Sequence, residues 1–187
     1  MTPAGLLLTH GAGGDRDHRL FVAMEAEFDL PVKRMNFPYR AAGRRGPPDR
    51  APKLIEALLD EVERFTTELG VAADRVVLGG RSMGGRICSM AVAEGLGAAG
   101  LVLLSYPLHP VGRPERLRVD HFGDIVVPTL FVNGDRDPFG TPEEVGLEIP
   151  AISGPVDVHW LAGQRHDPRP AFDVEIIEVV GHFINGL

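Results

Sequence analysis

RVVLGGRSMGGRICSM, residues 75–90, decides how the rest of the chain is read. Val76, Val77 and Leu78 form a short apolar run of buried-strand character, Gly79 and Gly80 interrupt it, and a helical stretch follows Met83. Between them lies Gly80-Arg81-Ser82-Met83-Gly84, a G-x-S-x-G pattern at a strand-to-helix turn. So tight a turn forces the serine backbone into an unfavourable conformation and crowds the residues two positions to either side. Glycine at 80 and 84 removes the Cβ atoms that would clash. The hydroxyl then stands exposed at the tip of the sheet, with the free amides and positive dipole end of the new helix beneath it. Ser82 is therefore the candidate nucleophile. The same five residues also describe a glycine-rich turn that merely reverses the chain, so its partners must decide.

Upstream, the apolar run Gly5 to Thr9 breaks into His10-Gly11-Ala12-Gly13-Gly14-Asp15, a strand entering a glycine-rich loop. Such a loop serves as a phosphate cradle or as an oxyanion hole. The phosphate patterns G-K-[ST] and G-x-G-x-x-G are both missing from this loop, which favours an oxyanion role for the Ala12 amide beside that of Met83. His10 is expected to hold this loop by hydrogen bonds and to border the substrate rather than to transfer protons. Asp15 is expected to cap a helix carrying Phe21, Met24 and Phe28 at spacings of three and four. Pro31 to Asn36 reads as a second strand, ending in Phe37-Pro38-Tyr39-Arg40 and a loop rich in Gly, Pro and Arg. Arg40 and Arg44 of that loop either recognise an anionic substrate group or pair with surface acids. Lys53 to Leu69 is an amphipathic helix with Leu54, Leu58, Val62, Phe65 and Leu69 on one stripe, stopped by Gly70.

Downstream, the helix after Ser82 is expected to run to about Glu94 and to be closed by Gly95 and Gly97. Gly100 to Leu104 is a wholly apolar strand opening into Ser105-Tyr106-Pro107-Leu108-His109-Pro110, whose Tyr106 and Leu108 are expected as pocket walls. Pro128 to Asn133 is a further strand, followed by Gly134-Asp135-Arg136-Asp137. A carboxylate in a turn just past a strand end is well placed to orient an imidazole, and Asp137 is preferred because Asp135 is positioned to brace the turn. Thr141-Pro142-Glu143-Glu144 begins a helix by its cap, its proline and its acidic first turn. Val156 to Leu161 alternates as a last strand, and His166 lies in the loop beyond it, the candidate base. Arg169 to Asn185 is the last helix, packing Phe172, Ile176, Val180 and Phe183. His18, His121 and His159 show no metal-ligand spacing, so neither a metal nor any other cofactor is expected.

The chain has 187 residues, 44% of them hydrophobic and 24% charged, and a net charge of -7. That length suits one domain over 1–187 that buries roughly 70% of its unfolded surface. The acidic balance argues against non-specific nucleic-acid binding. Cys88 is the one cysteine, which rules out an intramolecular disulfide. Leu6 to Leu8 is too short for a signal or membrane segment, and the expectation is a cytoplasmic protein without a membrane partner, monomeric or homodimeric.

HGAGG at 10–14, RMNFPYRAAGRRGPPDR at 34–50, GGRSMGGR at 79–86, SYPLHP at 105–110 and FVNGDRDPF at 131–139 together carry a resemblance. They resemble the compact α/β-hydrolase family that includes the testis-expressed hydrolase-like protein, subunit 3 of the NSL chromatin complex and bacterial dienelactone-hydrolase-like proteins. The resemblance implies a doubly wound, mostly parallel sheet of about six strands with helices on both faces and no lid domain. It also implies that Ser82, Asp137 and His166 occupy the triad positions, in the chain order that this fold requires, and that Ala12 and Met83 supply the oxyanion donors. Two departures stand out. Arg81 occupies a place usually held by a bulky or aromatic residue, and the two strands that precede the oxyanion loop in larger hydrolases are expected to be missing. The activity implied is hydrolysis of a small carboxylic ester, thioester or lactone, with His10, Tyr39, Arg40, Tyr106 and Leu108 expected around the substrate. A binding or scaffold protein that kept the hydrolase fold without its reaction is the alternative.

Overall fold

Apolar runs too short to be helices but flanked by glycine, proline or polar turns alternate along this chain with longer amphipathic stretches, and that alternation builds a parallel sheet. The computed structural model describes residues 2–43 and 46–187. In chain order, β1 (Gly5–Thr9) leads to α1 (Arg19–Glu27), β2 (Val32–Met35), the single turn α2 (Pro38–Ala41) and α3 (Ala51–Leu69). There follow β3 (Val76–Arg81), α4 (Met83–Ala93), β4 (Gly100–Leu104), β5 (Thr129–Gly134), α5 (Pro142–Glu148), β6 (Val156–Leu161) and α6 (Asp173–Asn185). The strands form one six-stranded sheet in the order β2-β1-β3-β4-β5-β6, parallel at every pairing. The order reverses between β1 and β3, so the crevice beyond their carboxyl ends is the natural ligand position of such a sheet.

The period of two along each strand separates two cores. Leu7, Val76, Leu78, Leu101, Leu103 and Phe131 point to one face, against Leu54, Leu58, Val62 and Phe65 of α3 and Ile87 and Ala91 of α4. Leu6, Leu8, Val77, Val102, Leu104 and Val132 point to the other, against Phe21 and Met24 of α1 and Ile176, Val180 and Phe183 of α6. Each fully buried side chain of this kind contributes about 1.5–3 kcal/mol. Helix α3 starts with Pro52 in its first turn and stops at Gly70, which adopts a left-handed φ of 66°. Helix α5 carries the full capping box: Thr141 Oγ1 accepts from the Glu144 amide, and the Glu144 carboxylate accepts from the Thr141 amide.

Two local expectations are corrected. Asp15 does not cap α1; its carboxylate accepts from the Asp17 amide in the preceding turn, and His18 stands at the cap without a side-chain bond. The last helix is shorter at its start, because Pro170 to Phe172 wind as a tight 3-10 turn before α6. Between β4 and β5 the chain forms loops and one 3-10 turn at Phe122–Asp124, and this connection carries no inserted domain.

Candidate active site

Ser82 caps α4 with φ 53° and ψ -117°, and it shares positive φ with only one other non-glycine among the described residues, Ser105. Such a conformation costs on the order of 1–3 kcal/mol and persists only where the surroundings over-determine it. Here they do. The Ser82 amide donates to the Leu104 carbonyl of β4 at 2.8 Å, and the Ser82 carbonyl accepts from the Arg86 amide as the helix begins. A Cβ at Gly84 would strike the Thr9 carbonyl and lie 2.7 Å from the His10 carbonyl, while one at Gly80 would strike the Thr9 hydroxyl. The first turn of α4 therefore sits directly on the end of β1, which sets the glycine-rich loop beside the serine. A Cβ placed on Gly11 would lie 3.5 Å from that of Ser82.

His166 reaches the serine from the loop after β6. Its Nδ1 lies 2.7 Å from Asp137 Oδ2 and its Nε2 lies 2.8 Å from Ser82 Oγ. A carboxylate only accepts, so Nδ1 carries the proton and donates it to Asp137, leaving the Nε2 lone pair to accept from the serine hydroxyl. Asp137 is 1% exposed, and its second oxygen accepts from the Phe139 amide at 2.9 Å, so both oxygens are engaged in a fixed plane. The Phe139 ring packs on the imidazole with centroids 4.1 Å apart. Asp135 does other work: its carboxylate accepts from the Gly163 amide at 2.7 Å and ties the loop that carries His166 to the end of β5. Gly134 allows that closeness, since a Cβ there would lie 2.7 Å from the Arg165 carbonyl.

The loop 10–14 is held from behind. His10 is 1% exposed; Nδ1 donates to the Gly11 carbonyl at 2.8 Å and Nε2 accepts from the Phe37 amide at 3.1 Å. Burial keeps its pKa below the ordinary imidazole value, partly offset by the Gly11 carbonyl. The Tyr39 hydroxyl donates to the Ala12 carbonyl, and the Arg40 guanidinium donates to the carbonyls of Gly13 and Gly14. With the Gly11 carbonyl drawn toward His10, the Ala12 amide on the opposite side of the same trans peptide turns outward. It donates to no group among the described residues, and neither does the Met83 amide, one of the unpaired donors of the first turn of α4.

These placements revise the expected substrate surroundings. His10 and Tyr39 are buried braces of the loop rather than surfaces for a ligand, and Arg40 spends its donors on loop carbonyls. Tyr106 is 1% exposed, its hydroxyl donating to the Arg118 carbonyl and its ring packed against Phe122 and Phe131. Burial raises its pKa. Leu108 is equally buried, so neither is a pocket wall. The expected role of Arg44 falls on a position outside the described residues. His109 has both ring nitrogens engaged elsewhere than at the serine, with Glu144 at 3.3 Å and the Pro110 carbonyl at 3.0 Å.

In the sequence Arg81 stands out only as a departure from the bulky or aromatic residue usual at its place. Its Nη2 donates to the His166 carbonyl at 2.9 Å and to the Asp167 carboxylate at 2.8 Å. Burial lowers its pKa and the Asp167 charge opposes that. The available signal was a cation at the end of a buried strand, which must find partners somewhere close. Among the described residues no group of three or more His, Cys, Asp or Glu side chains is arranged to hold a metal, and no helix is long and apolar enough to cross a membrane.

Solved structures share this architecture at low identity, which bears on the fold alone. Est1E from Butyrivibrio proteoclasticus, determined with ferulic acid bound, superposes with a TM-score of 0.78 at 16% identity over 99% of this chain and 89% of its own. An alpha-beta serine hydrolase homologue from Coxiella burnetii gives 0.73 at 20% identity over 99% and 85%. SOBER1 from Arabidopsis thaliana gives 0.68 at 14% identity over 97% and 98%. Residues 2–175 match the family described as the alpha/beta hydrolase domain. With that match over most of its length and a six-stranded parallel sheet to go with it, the chain belongs to the alpha/beta hydrolase domain family.

Proposed function

We propose that the protein is a serine hydrolase that cleaves a small carboxylic ester, thioester or lactone. The observation that carries this reading is the unbroken chain Ser82 Oγ, His166 Nε2, His166 Nδ1, Asp137 Oδ2, with links of 2.8 and 2.7 Å. As Ser82 attacks the carbonyl carbon, His166 takes the hydroxyl proton on Nε2, and Asp137 holds the ring in the required tautomer and stabilises its cation. The tetrahedral oxyanion is received by the outward amides of Ala12 and Met83, the latter at the positive end of α4. His166 then protonates the leaving alcohol or thiol. Water repeats the sequence on the acyl-serine, returning the proton to Ser82 and releasing the acid.

Family membership and the neighbours Est1E and the Coxiella burnetii serine hydrolase homologue support a hydrolase. GGRSMGGR with SYPLHP downstream supports the narrower kinship with the testis-expressed and NSL-subunit type. The net charge of -7 supports small-molecule substrates over nucleic acid, and a single unpaired cysteine, Cys88, supports a cytoplasmic location; a monomer or homodimer is proposed with them. The test is steady-state turnover on a panel of p-nitrophenyl esters, acyl thioesters and a dienelactone. Turnover of at least one class, falling by about 10⁴-fold or more in Ser82→Ala, is expected. No turnover by the folded protein on any class would favour the non-catalytic binding protein instead.

A further inference from the structure

Arg86 lies one turn beyond Ser82 on α4, about 6 Å along the helix, and its side chain faces a pocket of about 690 Å³. Arg116 and Arg118, from the loop that follows SYPLHP, line the same pocket, with Pro110 at its rim. The volume falls within the roughly 300–1,000 Å³ typical of small-molecule sites. Four arginines elsewhere in this acidic chain find carboxylates: Arg19 with Asp173, Arg34 with Asp17 and Glu25, Arg64 with Glu61, Arg81 with Asp167. Among the described residues Arg86, Arg116 and Arg118 have no ion-pair partner, although Glu115 and Asp120 also border the pocket. The Arg86 Nε is buried and donates to nothing, a cost that native structures rarely leave unexplained. The like charges also press on their neighbours. The pKa of Arg118 is lowered by burial and then by Arg86 and Arg116, and His121 behind the pocket is pushed down to about 4 by burial and then by Arg86.

We infer that the pocket between Arg86, Arg116 and Arg118 binds a small organic anion carrying a carboxylate or phosphate group. An anion there supplies the opposite charge that the three guanidiniums lack, and a guanidinium fork suits both groups in bidentate geometry. Arg86 stands one helical turn from Ser82 on α4, so the anion is either the acidic end of the hydrolysed substrate or a separate effector. The first source rests on the hydrolase reading; the binding itself does not.

Calorimetric titration of the intact protein with inorganic phosphate and with succinate tests the site. Saturable binding of at least one is expected, weakened about 10-fold or more by Arg86→Gln and by Arg116→Gln, the latter an exposed position that spares the fold, while Arg64→Gln leaves it unchanged. Kinetics then separate the sources. If the anion belongs to the substrate, Arg86→Gln raises KM for p-nitrophenyl hemisuccinate far more than for p-nitrophenyl butyrate. If it is an effector, the two KM values move together while phosphate or succinate binding is lost. Binding without any turnover would overturn the hydrolase reading and leave the anion site standing. Absence of saturable binding to the wild type, or binding indifferent to both Arg86→Gln and Arg116→Gln, would overturn the site.

Discussion

Arg81 and His166 are joined by a hydrogen bond from Nη2 of the arginine to the main-chain carbonyl of the histidine at 2.9 Å. Residue 81 thus holds the backbone of His166 while residue 82 meets its ring, and two consecutive positions at the tip of β3 fix both ends of the imidazole's approach. Removing the tether leaves the ring with its Asp137 partner but frees the loop. Arg81→Met is expected to lower kcat by about 10²-fold with a smaller change in KM, the scale of an ångström-sized misplacement. Arg81→Lys, able to reach one acceptor but not both in a fixed fork, should fall between them. Steady-state kinetics on the best ester of the panel decide this, with circular dichroism showing that the fold is kept.

The two aspartates of the β5 turn are expected to separate cleanly. Asp137→Asn replaces an acceptor of the Nδ1 proton by a group that can donate, favours the wrong tautomer and should cost about 10⁴-fold in kcat. Asp135→Ala removes only the bond to the Gly163 amide, for a loss of about 0.5–1.5 kcal/mol in stability with most activity kept. Parallel urea denaturation and kinetics on both variants check the pair.

Glycine at 84 is required by what lies against it. Gly84→Ala drives a methyl group into the Thr9 and His10 carbonyls of the adjacent chain, and should cost about 3 kcal/mol or prevent folding. Gly146, in the middle of α5 with open space around it, provides the opposite case. Gly146→Ala should stabilise by about 0.5–1 kcal/mol. Thermal and urea melts of the two variants give the comparison.

Stability should fall in acid through His121. Among the described residues its imidazole has no hydrogen bond to a carboxylate, although the charges of Asp120 and Asp124 act on it from a distance; Nε2 donates to the Ser89 hydroxyl, which itself donates to the Arg86 carbonyl. Burial, then Arg86, holds its folded pKa at about 4, against an ordinary value of 6.5. Between those values the unfolded chain binds the proton and the folded chain does not. Stability is therefore fully present above about pH 6.5 and declines as the pH drops toward 4. His10 and His18, also lowered by burial, act in the same direction. Unfolding free energies measured across pH 4 to 7 should show this slope, and it should be shallower in His121→Gln.

The strands at Gly5–Thr9, Gly100–Leu104 and Val156–Leu161 were readable to the residue because each is a compact run with breakers on both sides. That the side chains of Ser82, Asp137 and His166 meet was readable because each follows a strand end, and a parallel sheet brings those ends to one edge. Loop side chains were harder to read, because nothing in a local pattern says which way they point. Tyr39, Arg40 and His10 turned inward since the carbonyls of a glycine-rich loop need donors, and those three supply them. Tyr106 turned inward for a related reason: its ring fills the core between Phe122 and Phe131 and its hydroxyl finds a carbonyl. Arg81 was visible only as an anomaly, because its partners arrive from the far end of the chain.

Mass-spectrometric mapping of a fluorophosphonate adduct measures most directly whether the Ser82 hydroxyl is activated by its imidazole. The account predicts stoichiometric labelling at Ser82, strongly slowed in His166→Ala and absent in Ser82→Ala. Failure of the folded wild-type protein to react, or equal labelling of the His166→Ala variant, would contradict it.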